Sequence, residues 1–269
     1  MADPPGVESV AGAIGTVDRG TPLLEARGVS KTFLHVQALD DVDFRVFPGE
    51  AVALVGANGA GKSTLMKILC GAYQPDRGEV FVDGHPAHFR DPNDAKAAGI
   101  AVVYQDLALV NQRDVACNVF LGREPKRRGL TVDKARMVRE SQAVLQRLKI
   151  NIPSVYTQVG YLSGGQRQAV AIARAVQQGG RLLFMDEPTA ALGVQEQAKV
   201  LRLIEDLKAD GAAMVIVSHN LQHVFHVADR IVVMRGGRKA GERAKAGTTP
   251  EDIVKLIVGA ESAAPLGVV

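Results

Sequence analysis

With 269 residues, 46% of them hydrophobic and 23% charged, the chain has the composition of an ordinary globular protein that can bury a substantial core. Only 4% of the residues are aromatic and Trp is absent, which argues against a base-stacking platform for single-stranded nucleic acid. The net charge of +3 is too small to indicate a nucleic-acid or an anionic membrane partner.

Both ends of the chain are predicted to be flexible tails. Residues 1–20 are rich in Gly, Pro, Ala and Val without a helical or alternating period, and order is expected to begin near Leu23. Asp3 and Glu8 interrupt any apolar run there, so no secretory signal is expected. A helix is predicted to begin at Thr249 and to stop at Gly259, with residues 260–269 as the second tail.

Strand and helix patterns alternate between the two ends. Residues 41–46 alternate polar and apolar like a half-buried antiparallel strand, whereas the all-apolar residues 51–55 indicate a strand covered on both faces. Further strands are predicted at 79–83, 100–104, 182–185, 214–217 and 231–234, with helices near 194–209 and 220–227. The alternation predicts an α/β domain over residues 21–259 with a mostly parallel sheet, an antiparallel β subdomain near the N-terminus and a helical subdomain inserted at about 106–179.

A glycine loop directly follows the apolar strand 51–55. It matches the GxxxxGK[ST] pattern of a P-loop, with the candidate binding residues Gly56, Asn58, Gly59, Ala60, Gly61, Lys62, Ser63 and Thr64. The glycines allow successive backbone N–H groups to face one anion, and the helix that begins near Gly61 adds its positive end. Lys62 is predicted to lie along the β- and γ-phosphates of a nucleotide, and the hydroxyl of Ser63 to bind Mg²⁺.

The apolar strand 182–185 ends in two carboxylates. Asp186 is a candidate for the Mg²⁺ shell, and Glu187 for the base that polarises an attacking water. An Asp-Glu pair at a strand end is by itself more often solvated, so this prediction depends on the glycine loop.

A further anion site is predicted at Leu162-Ser163-Gly164-Gly165-Gln166. Ser163 and Gln166 have the spacing of a capping box, and the two glycines leave the first-turn N–H groups of a long helix uncovered. A well-capped helix without a ligand would have the same pattern.

The order of these segments resembles the ABC ATPase family, of which LSGGQ is the signature, over roughly residues 23–258. The resemblance implies that Phe33 stacks on adenine, that Gln105 contacts Mg²⁺ and senses a permease, and that His219 contacts the γ-phosphate. It also implies that ATP lies between the Lys62 loop of one subunit and the Ser163 segment of another. The expected partners are therefore a second ATPase subunit, transmembrane permease subunits and, indirectly, a sugar-binding protein, with no nucleic acid.

The segments 103–110, 120–124 and 189–194 are similar to those of monosaccharide importers of the ribose and fructose type. One departure from the wider family is Gly193, which stands where the resemblance implies a D-loop aspartate that helps to place the catalytic water across the dimer. Because no stretch approaches the roughly 20 apolar residues that span a bilayer, we expect a cytoplasmic ATPase held at the inner face of the cell membrane by its permease. The alternatives are a soluble ABC ATPase that acts on another macromolecule and an ATP-binding protein without turnover.

Overall fold

The computed structural model describes residues 20–127 and 131–260. Apart from Gly20 and Ala260, the tails predicted at 1–20 and 260–269 therefore lie outside the described residues. The strands in chain order are β1 (Leu24–Phe33), β2 (Val36–Val46), β3 (Ala51–Val55), β4 (Arg77–Val82), β5 (His85–Pro86), β6 (Ile100–Val103), β7 (Lys126–Arg127), β8 (Thr131–Val132), β9 (Leu182–Asp186), β10 (Ala213–Val217), β11 (Arg230–Arg235) and β12 (Arg238–Ala244). The helices are α1 (Lys62–Leu69), α2 (Pro92–Ala97), α3 (Val115–Val119), α4 (Lys134–Arg147), α5 (Gly164–Gln177), α6 (Val194–Ala209), α7 (Leu221–Val227) and α8 (Pro250–Val258), with a 3₁₀ turn at Val159–Tyr161.

The main sheet has the strand order β12-β11-β3-β10-β9-β6. Its strands are parallel except β12, which pairs antiparallel with β11 at the edge. The side chains of β9 alternate between two cores, since Leu182 and Phe184 pack with α1 on one face and Leu183 and Met185 pack with α5 and α6 on the other. A sheet buried on both faces explains why these strands are apolar at nearly every position.

The antiparallel sheet has the order β2-β1-β4-β5. Along β2, Val42, Phe44 and Val46 are buried while Asp43 and Arg45 are exposed, which confirms the alternation expected for residues 41–46. The antiparallel subdomain predicted near the N-terminus is therefore present.

Helices α3, α4 and α5 lie in the predicted helical insertion and pack on one another around a shared apolar core. In α4 the side chains of Met137, Val144 and Leu145 are buried, as the sequence pattern predicts, while Val138 is only partly buried. The boundaries 106–179 stay a prediction. The short hairpin of β7 and β8 within this region and the edge strand β12 were not expected from the sequence.

A buried arginine joins the two sheets. Arg230, at the start of β11, donates from Nε and Nη2 to the carboxylate of Glu50, at 2.8 Å each. Its Nη1 donates to Glu242 of β12 at 2.9 Å, and its Nη2 donates to the carbonyl of Arg45 in β2 at 2.7 Å. Arg230 is only 5% exposed, so this network lies inside the molecule.

Candidate functional site

The predicted phosphate-binding residues gather at one edge of the main sheet. Parallel strands end together at that edge, where the loops that follow them form the usual ligand crevice of an α/β fold. The glycine loop follows β3, Asp186 ends β9 with Glu187 next to it, and His219 follows β10. Since β3, β10 and β9 are neighbours in the sheet, these three segments are brought together.

Backbone geometry explains two of the loop glycines. Gly61 has φ of 99°, and a Cβ there would lie 2.7 Å from the carbonyl oxygen of Ala38. Gly56 has φ of 148°, and a Cβ there would lie 2.2 Å from the carbonyl oxygen of Met234 in β11. A side chain at either position would force the loop away from its neighbours, so the curled backbone requires glycine.

Helix α1 begins within this loop with an uncovered amino end. Gly61 precedes it, and among the described residues no side chain caps the first turn, which also contains no acid. Uncapped N–H groups together with the helix dipole favour an anion. Lys62 Nζ donates to the carbonyls of Gly56 at 2.8 Å and Ala57 at 2.9 Å, and Ser63 is exposed in the same turn.

The charges at this edge influence one another. Burial lowers the pKa of the Lys62 ammonium, against the opposing effect of Glu187 and Asp186. Burial and the charge of Glu187 raise the pKa of Asp186, which Lys62 and Lys67 oppose. Two carboxylates therefore lie close to the lysine of the glycine loop.

Glu187 is held by the turn that follows β10. Its Oε1 is 2.6 Å from Nδ1 of His219 and accepts from the backbone N–H of His219 at 3.1 Å. Its Oε2 accepts from the hydroxyl of Ser218 at 3.3 Å. Glu187 has φ of 48°, an unfavourable conformation for a residue with a Cβ. The carboxylate is therefore fixed in direction, while the imidazole of His219 is 74% exposed.

Gln105 and Phe33 lie at the border of this cluster. Gln105 is exposed two residues beyond β6, which neighbours β9, and within residues 20–127 and 131–260 its side chain forms no hydrogen bond. Phe33 ends β1, with an exposed ring that meets the ring of Tyr73 edge-on at 5.2 Å and has Nζ of Lys31 5.5 Å from its centroid. The geometry leaves an accessible ring at Phe33 and a free amide at Gln105.

The signature segment forms the capping box expected from its spacing. Ser163 Oγ accepts from the backbone N–H of Gln166 at 3.3 Å, and Gln166 Oε1 accepts from the backbone N–H of Ser163 at 3.0 Å. Gly164 and Gly165 occupy the first turn of α5 and face Glu196 of α6. A hydrogen bond from Ser163 lowers the pKa of Glu196, as do the backbone N–H groups of nearby glycines.

This segment is separate from the glycine loop within one chain. In the described part of the chain, no hydrogen bond or ion pair joins Ser163, Gly164, Gly165 or Gln166 to the loop. Gly193, the position of the D-loop departure, is exposed and precedes α6. The predicted anion sites are therefore at different places on the surface.

The residues present fit a magnesium ion bound together with a nucleotide. Asp186 carries a carboxylate whose ionisation is disfavoured by burial and by Glu187, and a dication would relieve that repulsion. No group of three or more His, Cys, Asp or Glu able to hold a metal occurs among the residues that the structure describes. One carboxylate beside a phosphate site is a donor set that suits Mg²⁺, which is typically bound by one or two carboxylates and by phosphate oxygens.

Several residues at the site were missed by reasoning from the sequence. Ser218 supports Glu187 and has a local signal, since it directly precedes His219. Lys67 on α1 acts on Asp186, and Tyr73 packs on Phe33. These two have no local signal, because only the fold brings them to their partners.

Fold and site together define a P-loop nucleoside triphosphatase whose helix α5 offers a further capped helix end. A family model described as "ABC transporter" matches residues 39–190, and the chain belongs to that family.

The similar curated proteins are import ATP-binding proteins. The fructose import ATP-binding protein FrcA of Rhizobium meliloti is 45% identical over 247 residues, which are 89% of this chain and 95% of that protein. The xylose/arabinose import ATP-binding protein XylG of Sulfolobus acidocaldarius is 46% identical over 235 residues, 87% of this chain and 93% of that protein. The ribose import ATP-binding protein RbsA 1 of Rubrobacter xylanophilus is 44% identical over 88% of this chain, which spans only 47% of that protein. These names give no support for action on another macromolecule.

Solved structures of ABC cassettes share the fold. The ADP conformation of MJ1267, an ATP-binding cassette of an ABC transporter, has a TM-score of 0.76 and 25% identity over 89% of this chain and 96% of that one. A dimeric post-hydrolysis state of the cassette MJ0796, bound to ADP and Pi, has a TM-score of 0.70 and 27% identity over 84% of this chain and 100% of that one.

Proposed function

We propose that the chain hydrolyses ATP and thereby powers a membrane importer, with a monosaccharide as the transported substrate. The observation that carries the proposal is the carboxylate of Glu187, fixed by Ser218 and His219 next to the lysine of the glycine loop. A directed carboxylate at a phosphate site is what a general base for water requires.

In the proposed reaction each residue has a separate task. Lys62 and the N–H groups at the start of α1 hold the triphosphate, and the ring of Phe33 receives adenine. Glu187 accepts a hydrogen bond from the attacking water, and His219 orients Glu187 through the 2.6 Å contact. When bound, Mg²⁺ neutralises charge on the phosphates; Asp186, Ser63 and Gln105 are the residues that would hold it.

The hydrolysing unit is a pair of chains. Support comes from the separation of the Ser163 segment from the glycine loop, because each nucleotide then needs the signature helix of a second subunit. The capping box keeps the first turn of α5 rigid, with glycines that allow a phosphate to approach. The cassette MJ0796, to which the chain is similar, has been crystallised as a dimer.

The membrane part of the importer is expected to be a separate permease. No helix in residues 20–127 or 131–260 is long and apolar enough to cross a bilayer. The names of the relatives support a sugar as cargo. A sugar-binding protein as an indirect partner and a place at the cytoplasmic face of the membrane are part of the proposal. Neighbouring genes for a multi-span permease and a secreted sugar-binding protein would test this assignment.

The Glu187→Gln variant tests the catalytic proposal. Glutamine keeps the size and most hydrogen bonds but removes the base, so phosphate release should fall by about 10²–10⁴-fold. ATP should still bind, because Lys62, Ser63 and Asp186 are unchanged. The bound, unhydrolysed ATP should then hold two chains together, which size-exclusion chromatography with light scattering would detect as an ATP-dependent dimer.

The control is Glu251→Gln, an exposed glutamate in the first turn of α8, which should leave turnover unchanged. Phosphate release by Glu187→Gln at near the wild-type rate would remove Glu187 from its role. An inactive variant that stays monomeric with ATP would count against the two-chain site.

A further inference from the structure

The loop between β9 and α6 begins with a strained and buried turn. Glu187 and Ala191 have φ of 48° and 57°, a conformation that residues with a Cβ adopt only when neighbours hold them. Between them Thr189 is only 5% exposed. The backbone N–H of Ala190 donates to the carbonyl of Glu187 at 3.0 Å, and Gln197 donates to the carbonyl of Leu192 at 2.9 Å.

The side chain of Thr189 contacts a residue outside this loop. Its Oγ1 lies 2.9 Å from Nδ1 of His223 on α7. Asn220, the N-cap of α7, accepts from the backbone N–H of His223 at 3.2 Å and places its amide Nδ2 3.5 Å from Nε2 of the same ring. The 2.9 Å contact has the length of a hydrogen bond, which either the Thr189 hydroxyl or Nδ1 can donate. Burial and the nearby His226 lower the pKa of His223, and Glu187 opposes them.

This contact lies beside the one that holds the candidate base. β9 and β10 are neighbours, and the N–H of Glu187 donates to the carbonyl of Val217 at 2.9 Å. The turn after β10 therefore holds the start of the loop at Glu187, through Ser218 and His219, and α7 holds it again two residues later at Thr189. A rigid supporting contact of this kind fixes the direction of a catalytic side chain.

We infer that His223 is a positioning residue, which through its hydrogen bond to Thr189 fixes the loop that carries Glu187 and so supports turnover without contributing to nucleotide binding. The inference rests on the proposed ATP hydrolysis. Thr189 and His223 bond to each other and are not among the residues proposed to hold the nucleotide, which is why loss of this bond should leave ATP affinity unchanged.

Paired substitutions separate the hydrogen bond from packing. Thr189→Val keeps the shape but removes the hydroxyl, and Thr189→Ser keeps the hydroxyl. We expect Thr189→Val and His223→Ala each to lower kcat for ATP hydrolysis roughly 3- to 10-fold, the range of a single hydrogen bond, with KM within about twofold. Thr189→Ser should retain most of kcat. The double variant Thr189→Val/His223→Ala should lose no more kcat than the more impaired of the two single variants.

The matched control is Gln222→Ala. Gln222 lies on the same helix with an exposed side chain, so its removal should leave kcat unchanged. A Thr189→Val variant with wild-type kcat, losses that multiply in the double variant, or a KM that rises as far as kcat falls would each overturn the inference.

If the variants fail to fold, the hydrogen bond between Thr189 and His223 can still be tested on the wild-type chain. The ¹⁵N resonance of Nδ1 in the His223 ring should report a hydrogen bond at that nitrogen, and an Nδ1 without a hydrogen bond would overturn the inference. This readout does not depend on turnover. A wild-type chain that does not hydrolyse ATP but shows this hydrogen bond would therefore count against the proposed function and not against the inference.

Discussion

At the scale of single residues, the ring of Phe33 has a supporting partner on another element. Tyr73 lies shortly after α1 and meets Phe33 with 5.2 Å between ring centroids and 65° between ring planes. Edge-to-face contact of this kind stabilises one ring orientation, and Nζ of Lys31 lies over the Phe33 ring, 5.5 Å from its centroid. The base-binding role proposed for Phe33 is therefore linked to the same helix that begins at the glycine loop.

Replacement of Phe33 by Ala should weaken ATP binding by roughly 1–3 kcal/mol, the typical contribution of base–aromatic stacking. The measurement is titration calorimetry with ATP and, in parallel, with tripolyphosphate, which has no base. The Ala variant should bind tripolyphosphate like the wild type, and Phe33→Tyr should bind both ligands normally. Equal ATP affinity in the Ala and wild-type chains would show that Phe33 only packs.

At the scale of secondary-structure elements, the proposed contact with a second chain depends on helix α5. Its first turn has Ser163 as N-cap and Gln166 in the reciprocal position, so its end is well defined before any partner arrives. Across the described chain, no hydrogen bond connects this turn to the glycine loop at α1, although both helix ends favour anions. Two chains placed head to tail would bring one end of each kind to the same nucleotide.

A complementation experiment tests this arrangement. Ser163→Arg should bind ATP nearly normally but hydrolyse none, because the bulky side chain and the lost cap disturb the site of the opposing chain. Lys62→Ala should fail for the separate reason that its own loop no longer holds phosphate. Mixed under conditions where subunits exchange, the two variants should recover activity, since each heterodimer contains one intact composite site. Activity equal to the sum of the two parents would contradict a site shared between chains.

At the scale of the whole molecule, the buried guanidinium of Arg230 joins the main sheet to the antiparallel sheet. It contacts Glu50 and Glu242 from the main sheet side and the carbonyl of Arg45 from the antiparallel sheet. Burial by itself would raise the pKa of Glu242, but Arg230 and Lys239 lower it. The carboxylate of Glu242 therefore depends on Arg230, and to a smaller extent on Lys239, to stay charged in the interior.

Arg230→Met should lower the free energy of unfolding by about 3–5 kcal/mol, because it removes the buried guanidinium that Glu50 and Glu242 share. Urea denaturation followed by circular dichroism would measure the change. The control Arg202→Met removes an exposed arginine of α6 and should change the free energy by no more than about 0.5 kcal/mol. A loss below about 1 kcal/mol in Arg230→Met would show that the network contributes little to stability.

The local features of this protein were determined by the sequence alone. The glycine loop, the Asp186–Glu187 strand end and the capping box at Ser163 each lie within a few consecutive residues, so spacing and residue type identify them directly. The central strands were also predicted, because strands buried on both faces are apolar throughout. Strand β12 was not, since its polar residues are only partly buried and leave no alternating pattern at the edge of the sheet.

Only the tertiary structure decided which distant residues meet. The contacts of Glu187 with His219, of Thr189 with His223 and of Phe33 with Tyr73 join residues that are 32, 34 and 40 positions apart. Such pairs depend on which strands are neighbours, and no spacing along the chain encodes that order. The sequence identified the groups that handle phosphate, and the packing of β9 against β10 determined how the candidate base is aimed.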